Sequence, residues 1–476
     1  MTTWGKTMGS LALAAAAVAV AAAAPVRAAN DVFVVTTDYQ TGSTAYLPAG
    51  AETAQTNLLT IHGDAGVRYQ DGTIYIINRL GQDNILVLDA GDPATPLRQF
   101  SVGNGSNPQD IAVVSPERAY VTRYEVPSML IVNPSTGDSL GHVDLSAFAD
   151  DDGVPEMGEM VLRGQRLYVA LQRLDRSGFP WVPVDVSYLA VIDAATGEVI
   201  DVDPDADGVQ GHQLAGVNPN SLISVGDRIA VSTTAAFGDM EGGVELIDPV
   251  TGVTTGLVVT EEDLGGDLTH LSVASATKAY AIVSDASYVN SVRPVNLLSG
   301  EVGAPLAGLT GGFLQSTATD GDRLYVAERG SFTQPEVVGL MVYDTVTDQL
   351  VAGPIDTGLP PAVIAVLSER HVTAVAEAAD RHLPRRADLG RAYPNPFNAS
   401  TVIPVELDVD GPVELQVRDL LGRSVRTLTA GHLPAGRHAI AWDGRDDAGR
   451  VAATGAYLVE LRAAGLRATR KVTLLK

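Results

Sequence analysis

The stretch "YLAVIDAATGEVI" (188–200) reads as two β-strands joined by a tight turn. An apolar run ends at Asp193, and two residues later Thr196 and Gly197 precede a shorter second run. A carboxylate at the end of a strand can accept the next backbone N–H groups, and glycine takes the left-handed backbone that a hairpin needs. The same pattern recurs as "NPSTG" from Asn133, "DPVTG" from Asp248, "NLLSG" from Asn296 and "DTVTD" from Asp344, with a weaker copy, "DAGDP", from Asp89. The starting positions lie 44 to 60 residues apart, a period that marks a repeat architecture.

Each turn follows a strand such as "NILVLD", "SMLIVN", "GVELID" or "GLMVYD". Before that strand comes another: "GTIYIIN" (72–78), "RAYVTRY" (118–124), "RLYVALQ" (166–172), "RIAVSTT" (228–234), "KAYAIVS" (278–284) and "RLYVAER" (323–329). A third kind precedes these, as in "DIAVV" (110–114), "GEMVL" (158–162), "SLISV" (221–225) and "HLSVA" (270–274), and a fourth strand such as "LGHVDLS" (140–146) completes the unit. Four antiparallel strands per repeat predict the blades of a β-propeller. "PAVIAVL" (361–367) reads as a first strand without a following blade. "DVFVVTTDYQTGSTAYLP" (31–48) and "TNLLTIHG" (56–63) read as second, third and fourth strands without a first. Pairing the two ends closes a ring of seven blades and leaves no exposed sheet edge. "HVTAVAEA" (371–378), as a possible extra strand, leaves the count open between six and eight. With "YVTR" (120–123) and the apolar-Asp-x-x-Thr-Gly hairpins, residues 30–370 resemble secreted bacterial seven-bladed propellers with YVTN-type repeats. That resemblance implies a fold and no single activity.

Composition limits the setting. Lys6, the apolar run Leu11 to Ala24, Pro25 and "VRA" (26–28) have the layout of a secretory signal peptide, with cleavage expected near Ala28. No later run is long enough to span a bilayer as a helix. There is no cysteine, so neither disulfides nor thiol nucleophiles are available. Residues 381–476 carry 15 Lys+Arg against 10 Asp+Glu; of the totals of 32 and 57, that leaves 17 against 47 in the first 380. So acidic a body repels phosphate backbones and argues against nucleic acid as a partner.

The composition changes at "DRHLPRRADLGRAYPNPFNAS" (380–400), which is basic and proline-punctuated, and alternation resumes from "VIPVELDV" (402–409). Six or seven short strands in the remaining residues predict an Ig-like β-sandwich. The expected layout is therefore an all-β chain: signal peptide 1–28, seven-bladed β-propeller 29–379, linker 380–391 and small Ig-like β-sandwich 392–476. "YPNPFN" (393–398), "VRDLLGRSVRTL" (417–428), "AGRHAIAWDGRDDAG" (435–449), "GAYLVELRA" (455–463) and "RKVTLLK" (470–476) resemble the C-terminal sorting domain of type IX secretion cargo, kin of the Ig-like domain of flagellar hook-capping proteins. Ala399 stands where that family more often has proline. The resemblance implies a secretion machinery as partner. Within the module, Tyr393, Pro394, Asn395, Pro396, Phe397 and Asn398 form the entry segment. The prolines stiffen it, the asparagines can bond to backbone, and Phe397 and Trp442 face the core.

Candidate chemistry is sparse. "GDSLG" (137–141) carries the Gly-x-Ser-x-Gly pattern, but it occupies a repeat hairpin and not the strand-turn-helix context that a nucleophilic Ser139 needs. "DVDPDADG" (201–208) sets Asp203, Asp205 and Asp207 at alternating positions, which makes Ca²⁺ a candidate ion, although position twelve of such a loop, Leu214, is not a carboxylate. The long insertion "LDRSGFPWVPVDVSY" (174–188) brings Phe179, Trp181 and Tyr188 together in a chain that is only 5% aromatic. His62, Glu156, Glu159 and His270 fall near strand-entry loops and are candidates to meet at one mouth of the central channel. These features favour an exported or cell-surface binding protein with an extracellular protein or glycan as ligand. The alternatives are a propeller enzyme (hydrolase, lyase or lactonase) working at the channel mouth, and a carbohydrate-binding adhesin.

Overall fold

The computed structural model describes residues 30–368, 387–389, 397–398, 400–407, 410–419, 423–434, 436–463 and 466–475. The signal-peptide candidate, "HVTAVAEA" (371–378) and Tyr393 to Pro396 lie outside the described residues, as do the expected limits of the linker. The chain divides into two compact units, Met1–Ala374 and Val375–Lys476.

The first unit is a seven-bladed propeller. Blade one is built from Ala65–Gln70, Thr73–Asn78, Asn84–Asp89 and Asp92–Ser101, hydrogen-bonded in that order. Blades two (108–144), four (219–260) and six (317–355) repeat this four-strand meander. In blade three, Met157–Arg163, Arg166–Leu171 and Tyr188–Asp193 are followed by two short strands, Val199–Ile200 and His212–Gln213, which both pair with the third. Blade seven closes the ring as expected. Pro361–Leu367 pairs antiparallel with Asp31–Thr37, which pairs with Gly42–Leu47 and then Thr60–Ile61. Blade five departs from the four-strand expectation: Asp267–Val273, Lys278–Ser284 and Asn290–Asn296 are followed only by an isolated bridge, Val295 to Val302. The chain there runs "EVGAPLAGLTGG" (301–312), and Pro305 has no N–H to give a ladder.

The repeated turns behave as their chemistry requires. Asp193 Oδ1 accepts the N–H groups of Ala195 and Thr196, both at 2.9 Å, and Asn133, Asp248, Asn296 and Asp344 act alike. Gly137, Gly197, Gly252 and Gly300 are all left-handed. At Gly137 a Cβ would also fall 2.5 Å from Phe100 of the preceding blade, so close approach as well as φ demands glycine. The turn is an inter-blade joint. Tyr120 Oη donates to Ala194 O (3.0 Å) and Tyr168 Oη to Pro249 O (2.6 Å), each reaching the turn of the next blade. In blade six Asp348 replaces the glycine, and its carboxylate accepts from Lys278 Nζ at 2.8 Å and Tyr280 Oη at 2.6 Å. Between the blades lie apolar side chains from facing sheets, such as Met129, Leu145, Met160, Val169 and Ile192.

The second unit is an Ig-like sandwich. Ala387–Leu389, Thr401–Leu407 and Gly436–Trp442 form one sheet. Ser424–Leu433, Gly411–Asp419, Gly455–Ala463 and Leu466–Leu474 form the other. Trp442 is fully buried between Phe397 and Tyr457, with ring centroids 5.2 Å from each, and its Nε1–H donates to Arg445 O at 3.0 Å. Phe397 is buried, and its backbone bridges the last strand through Thr473 O (3.0 Å) and the Leu475 N–H (2.7 Å). Asn398 is exposed.

Candidate functional site

The innermost strand of every blade runs beside the central channel. Counting back from the hairpins, Asp110, Glu159, Ser221 and His270 hold equivalent positions on the first strands of blades two to five. A cavity of about 510 Å³ lies there, with Arg68, Ala112, Glu159, Leu222, His270, Thr317 and Val366 among its walls, one from each blade.

Arg68 and Asp110 organise the polar side of this cavity. Arg68 Nε donates to Asp110 Oδ1 at 2.8 Å and its Nη2 reaches both Asp110 Oδ2 and Met160 O. Asp110 is buried and also accepts the N–H groups of Ile111 and Met160, both at 2.8 Å. Burial works against the Arg68 charge, but the Asp110 carboxylate outweighs it and holds the guanidinium above its ordinary pKa. Glu159 Oε2 accepts the Leu222 N–H at 2.9 Å. Burial pushes Glu159 up to about 7, with Asp110 adding to the rise and Arg68 opposing it. His270 Nε2 lies 2.9 Å from Thr317 O, an obligatory acceptor, so the ring proton sits on Nε2 and leaves Nδ1 as an acceptor. Burial holds His270 below the ordinary histidine pKa, which keeps the ring neutral. The cavity thus offers a guanidinium, a carboxyl held above its ordinary pKa and an imidazole acceptor.

Of the four expected channel residues, the structure places Glu159 and His270 in the wall of one cavity and His62 and Glu156 elsewhere. His62 Nδ1 contacts the backbone of Asp64, in the loop between blades seven and one. Glu156 is fully buried, with left-handed backbone (φ 43°), and turns its carboxylate to the Leu174 N–H at 3.0 Å, with Arg176 Nε 3.7 Å away. It anchors the base of the blade-three insertion, and burial lifts it to about 7. Asp203, Asp205 and Asp207 are exposed in a turn whose backbone is held by Asp201, which accepts from Asp203 and Gln210. Among the described residues no group of three or more His, Asp or Glu side chains is placed to hold a metal ion. Ser139 opens the outermost strand of blade two and is exposed.

In the insertion, Leu174–Asp175 and Val182–Pro183 form a small hairpin. Phe179 at its tip is 95% exposed and Trp181 46%, with the Arg176 guanidinium 4.5 Å over the Trp181 ring and paired to Glu125 at 2.6 Å. Tyr188 packs beneath, against Phe148 and Arg173.

Phe179 and Trp181 belong to a larger set. In an antiparallel meander, the loops between second and third strands and those between blades emerge on one face. Tyr39, Phe179, Trp181, Phe237, Tyr288 and Phe332 lie in second-to-third loops, and Phe313 lies in the connection into blade six. Every exposed aromatic side chain among the described residues is therefore on this face, whereas the repeat turns on the other face expose only aliphatic ones such as Val250, Leu298 and Val346. Phe237 and Tyr288 stack across blades four and five, centroids 5.5 Å apart and planes 6° from parallel.

Residues 395–465 match the family model described as FlgD Ig-like domain. No curated protein matches the chain. Among solved structures, a Lactobacillus plantarum protein is 14% identical with a TM-score of 0.50, covering 71% of this chain and 99% of its own. A putative 6-phosphogluconolactonase from Bacteroides fragilis is 13% identical with a TM-score of 0.48, covering 72% and 99%. Apo AztD from Citrobacter koseri is 14% identical with a TM-score of 0.44, covering 71% and 98%. At these identities the likeness concerns fold alone, and the chain is an all-β protein with a seven-bladed β-propeller followed by an Ig-like β-sandwich.

Proposed function

We propose that this chain is an exported or cell-surface interaction protein whose propeller binds its partner through the aromatic face. The observation that carries this is the confinement of all exposed aromatic rings, among the described residues, to the loops of one face. Aromatic anchors supply contact area at low cost in side-chain entropy, and loops on a rigid scaffold are where such contacts are normally placed. In this reading residues 1–28 are a cleaved leader, 29–379 the binding disc and 392–476 an address module engaging a type IX secretion machinery. The FlgD Ig-like match and the sequence of the module support that last assignment.

Two experiments test it. Phe179, Phe237 and Phe332 are replaced together by Ser in the full chain, and retention on the cells that export it is measured. The reading expects retention to fall at least tenfold with unchanged thermal melting; unchanged retention refutes it. A chain ending at Ala379 is fractionated; the address reading expects it to stop in the periplasm and fails if it reaches the exterior. A second reading, a small-molecule enzyme or receptor site in the channel, is favoured by the Arg68, Glu159 and His270 cluster. Under it, Glu159→Gln abolishes turnover or binding while the triple Ser variant leaves both intact.

A further inference from the structure

One groove on the aromatic face lies between blades five and six. This cavity of about 760 Å³ is walled by Tyr288, Phe313 and Phe332, which are 72%, 54% and 106% exposed. The rings are presented to solvent and not spent on a core. The floor is backbone. A Cβ on Gly312 would fall 1.9 Å from Gly330 O, while Gly311 and Gly330 have φ of 78° and 75°, so glycine is required along it. The Tyr288 loop is locked: Asp285 Oδ1 accepts from Ser287 (2.8 Å) and Val289 (2.9 Å), and Asn290 Nδ2 donates to Tyr288 O (3.1 Å). Stacking on Phe237 fixes the Tyr288 ring from one side and leaves the other open. A second cavity of about 430 Å³ adjoins, sharing Val289, Thr310 and Gly311 and adding the polar side chains of Asn290 and Ser291.

Resting on the reading of this face as the binding surface, we infer that the groove takes a neutral saccharide. A sugar ring has an apolar C–H face and a hydroxyl edge. Exposed aromatic planes suit the first, and the hydroxyls of Ser287, Ser291, Ser331 and Thr333 around the glycine floor suit the second. Charge argues against anionic ligands. Arg329 at the wall already donates to main-chain carbonyls, Pro361 O at 2.8 Å and Thr37 O at 2.9 Å, and the second cavity carries the Asp285 carboxylate as well as Arg293. Neither cavity is lined by lysine, and the first 380 residues carry 47 Asp+Glu against 17 Lys+Arg.

The test uses the purified full chain and saturation-transfer NMR with cellobiose, maltose and diacetylchitobiose, and with a glucuronate-containing disaccharide as the acidic control. Transfer to the ring C–H protons of at least one neutral disaccharide is expected, with at least a tenfold weaker response for the acidic one. Tyr288→Ala with Phe332→Ala should reduce transfer at least fivefold, while Leu298→Ala on the opposite face retains it, all with unchanged melting. No transfer to any neutral disaccharide, or transfer that survives in the double variant, overturns the inference. If transfer is absent but the triple Ser variant still loses retention on cells, the saccharide is wrong and the binding face stands. If retention is also unaffected, the wider reading falls as well.

Discussion

Glu159 is an ionisable group that the channel holds uncharged, and its protonation should be readable as stability. Its pKa rises from 4.5 to about 7. Between those values the folded chain binds a proton that the unfolded chain does not, so stability declines as pH rises through this window and levels off above it. A shift of this size corresponds to about 3 kcal/mol at 1.36 kcal/mol per pH unit. The carboxyl is only partly shielded by its surroundings, and allowing for solvent screening leaves about 2 kcal/mol. Glu159→Gln keeps an acceptor for the Leu222 N–H and removes the titration. At pH 4, below the unfolded value, the two proteins should melt nearly together. At pH 8 the Gln variant should be more stable by about 2 kcal/mol, which is about 3 °C in Tm for a propeller unfolding with about 2.1 cal/mol/K per residue. Calorimetry at both pH values decides it. An equal Tm difference at pH 4 and pH 8 would rule this out, because the gain must come from the proton.

Other consequences follow from the same geometry. Arg68→Met leaves buried Asp110 with two backbone donors and no counter-charge, and should cost about 2–3 kcal/mol in denaturant unfolding; adding Asp110→Asn should recover part of the loss. Tyr168→Phe removes the bond to Pro249 O that ties blade three to blade four, and about 1–2 kcal/mol should be lost from the propeller transition. Trp442→Ala opens a cavity in the sandwich and should cost that unit about 3–5 kcal/mol, seen by calorimetry as loss of one transition while the propeller melts unchanged.

The fold was legible because its determinants are local. The Asp or Asn turn, its glycine (Asp348 in blade six) and the preceding strands sit within about 30 to 40 residues of each other in each copy, and the unmatched strands at 31–48 and 361–367 announced the closing blade. The weak outer edge of blade five was less visible, since Pro305 and the neighbouring glycines interrupt a segment whose partner strand is regular. The site was legible in part. Glu159 and His270 stand one residue before an apolar run that enters the sheet, and that position faces the channel. Glu156 is three residues earlier, where left-handed backbone sends its carboxylate into the insertion. Arg68 and Asp110 escaped notice because their pairing joins blades 42 residues apart. The rest of the aromatic face escaped because, outside the blade-three insertion, its rings come singly, one per loop. Asking which second-to-third loop of each repeat holds an aromatic would have found "TDYQ" (37–40), "TAAFG" (234–238), "DASYV" (285–289) and "GSFTQ" (330–334).

The measurement that bears most directly on the proposed binding face is oxidative footprinting of the full chain, free and after incubation with whole cells of its source. The account predicts protection of Phe179, Phe237, Tyr288 and Phe332, with Leu140 and Leu298 on the opposite face labelled equally in both states. Protection confined to the opposite face, or none at the four aromatic positions, would contradict it.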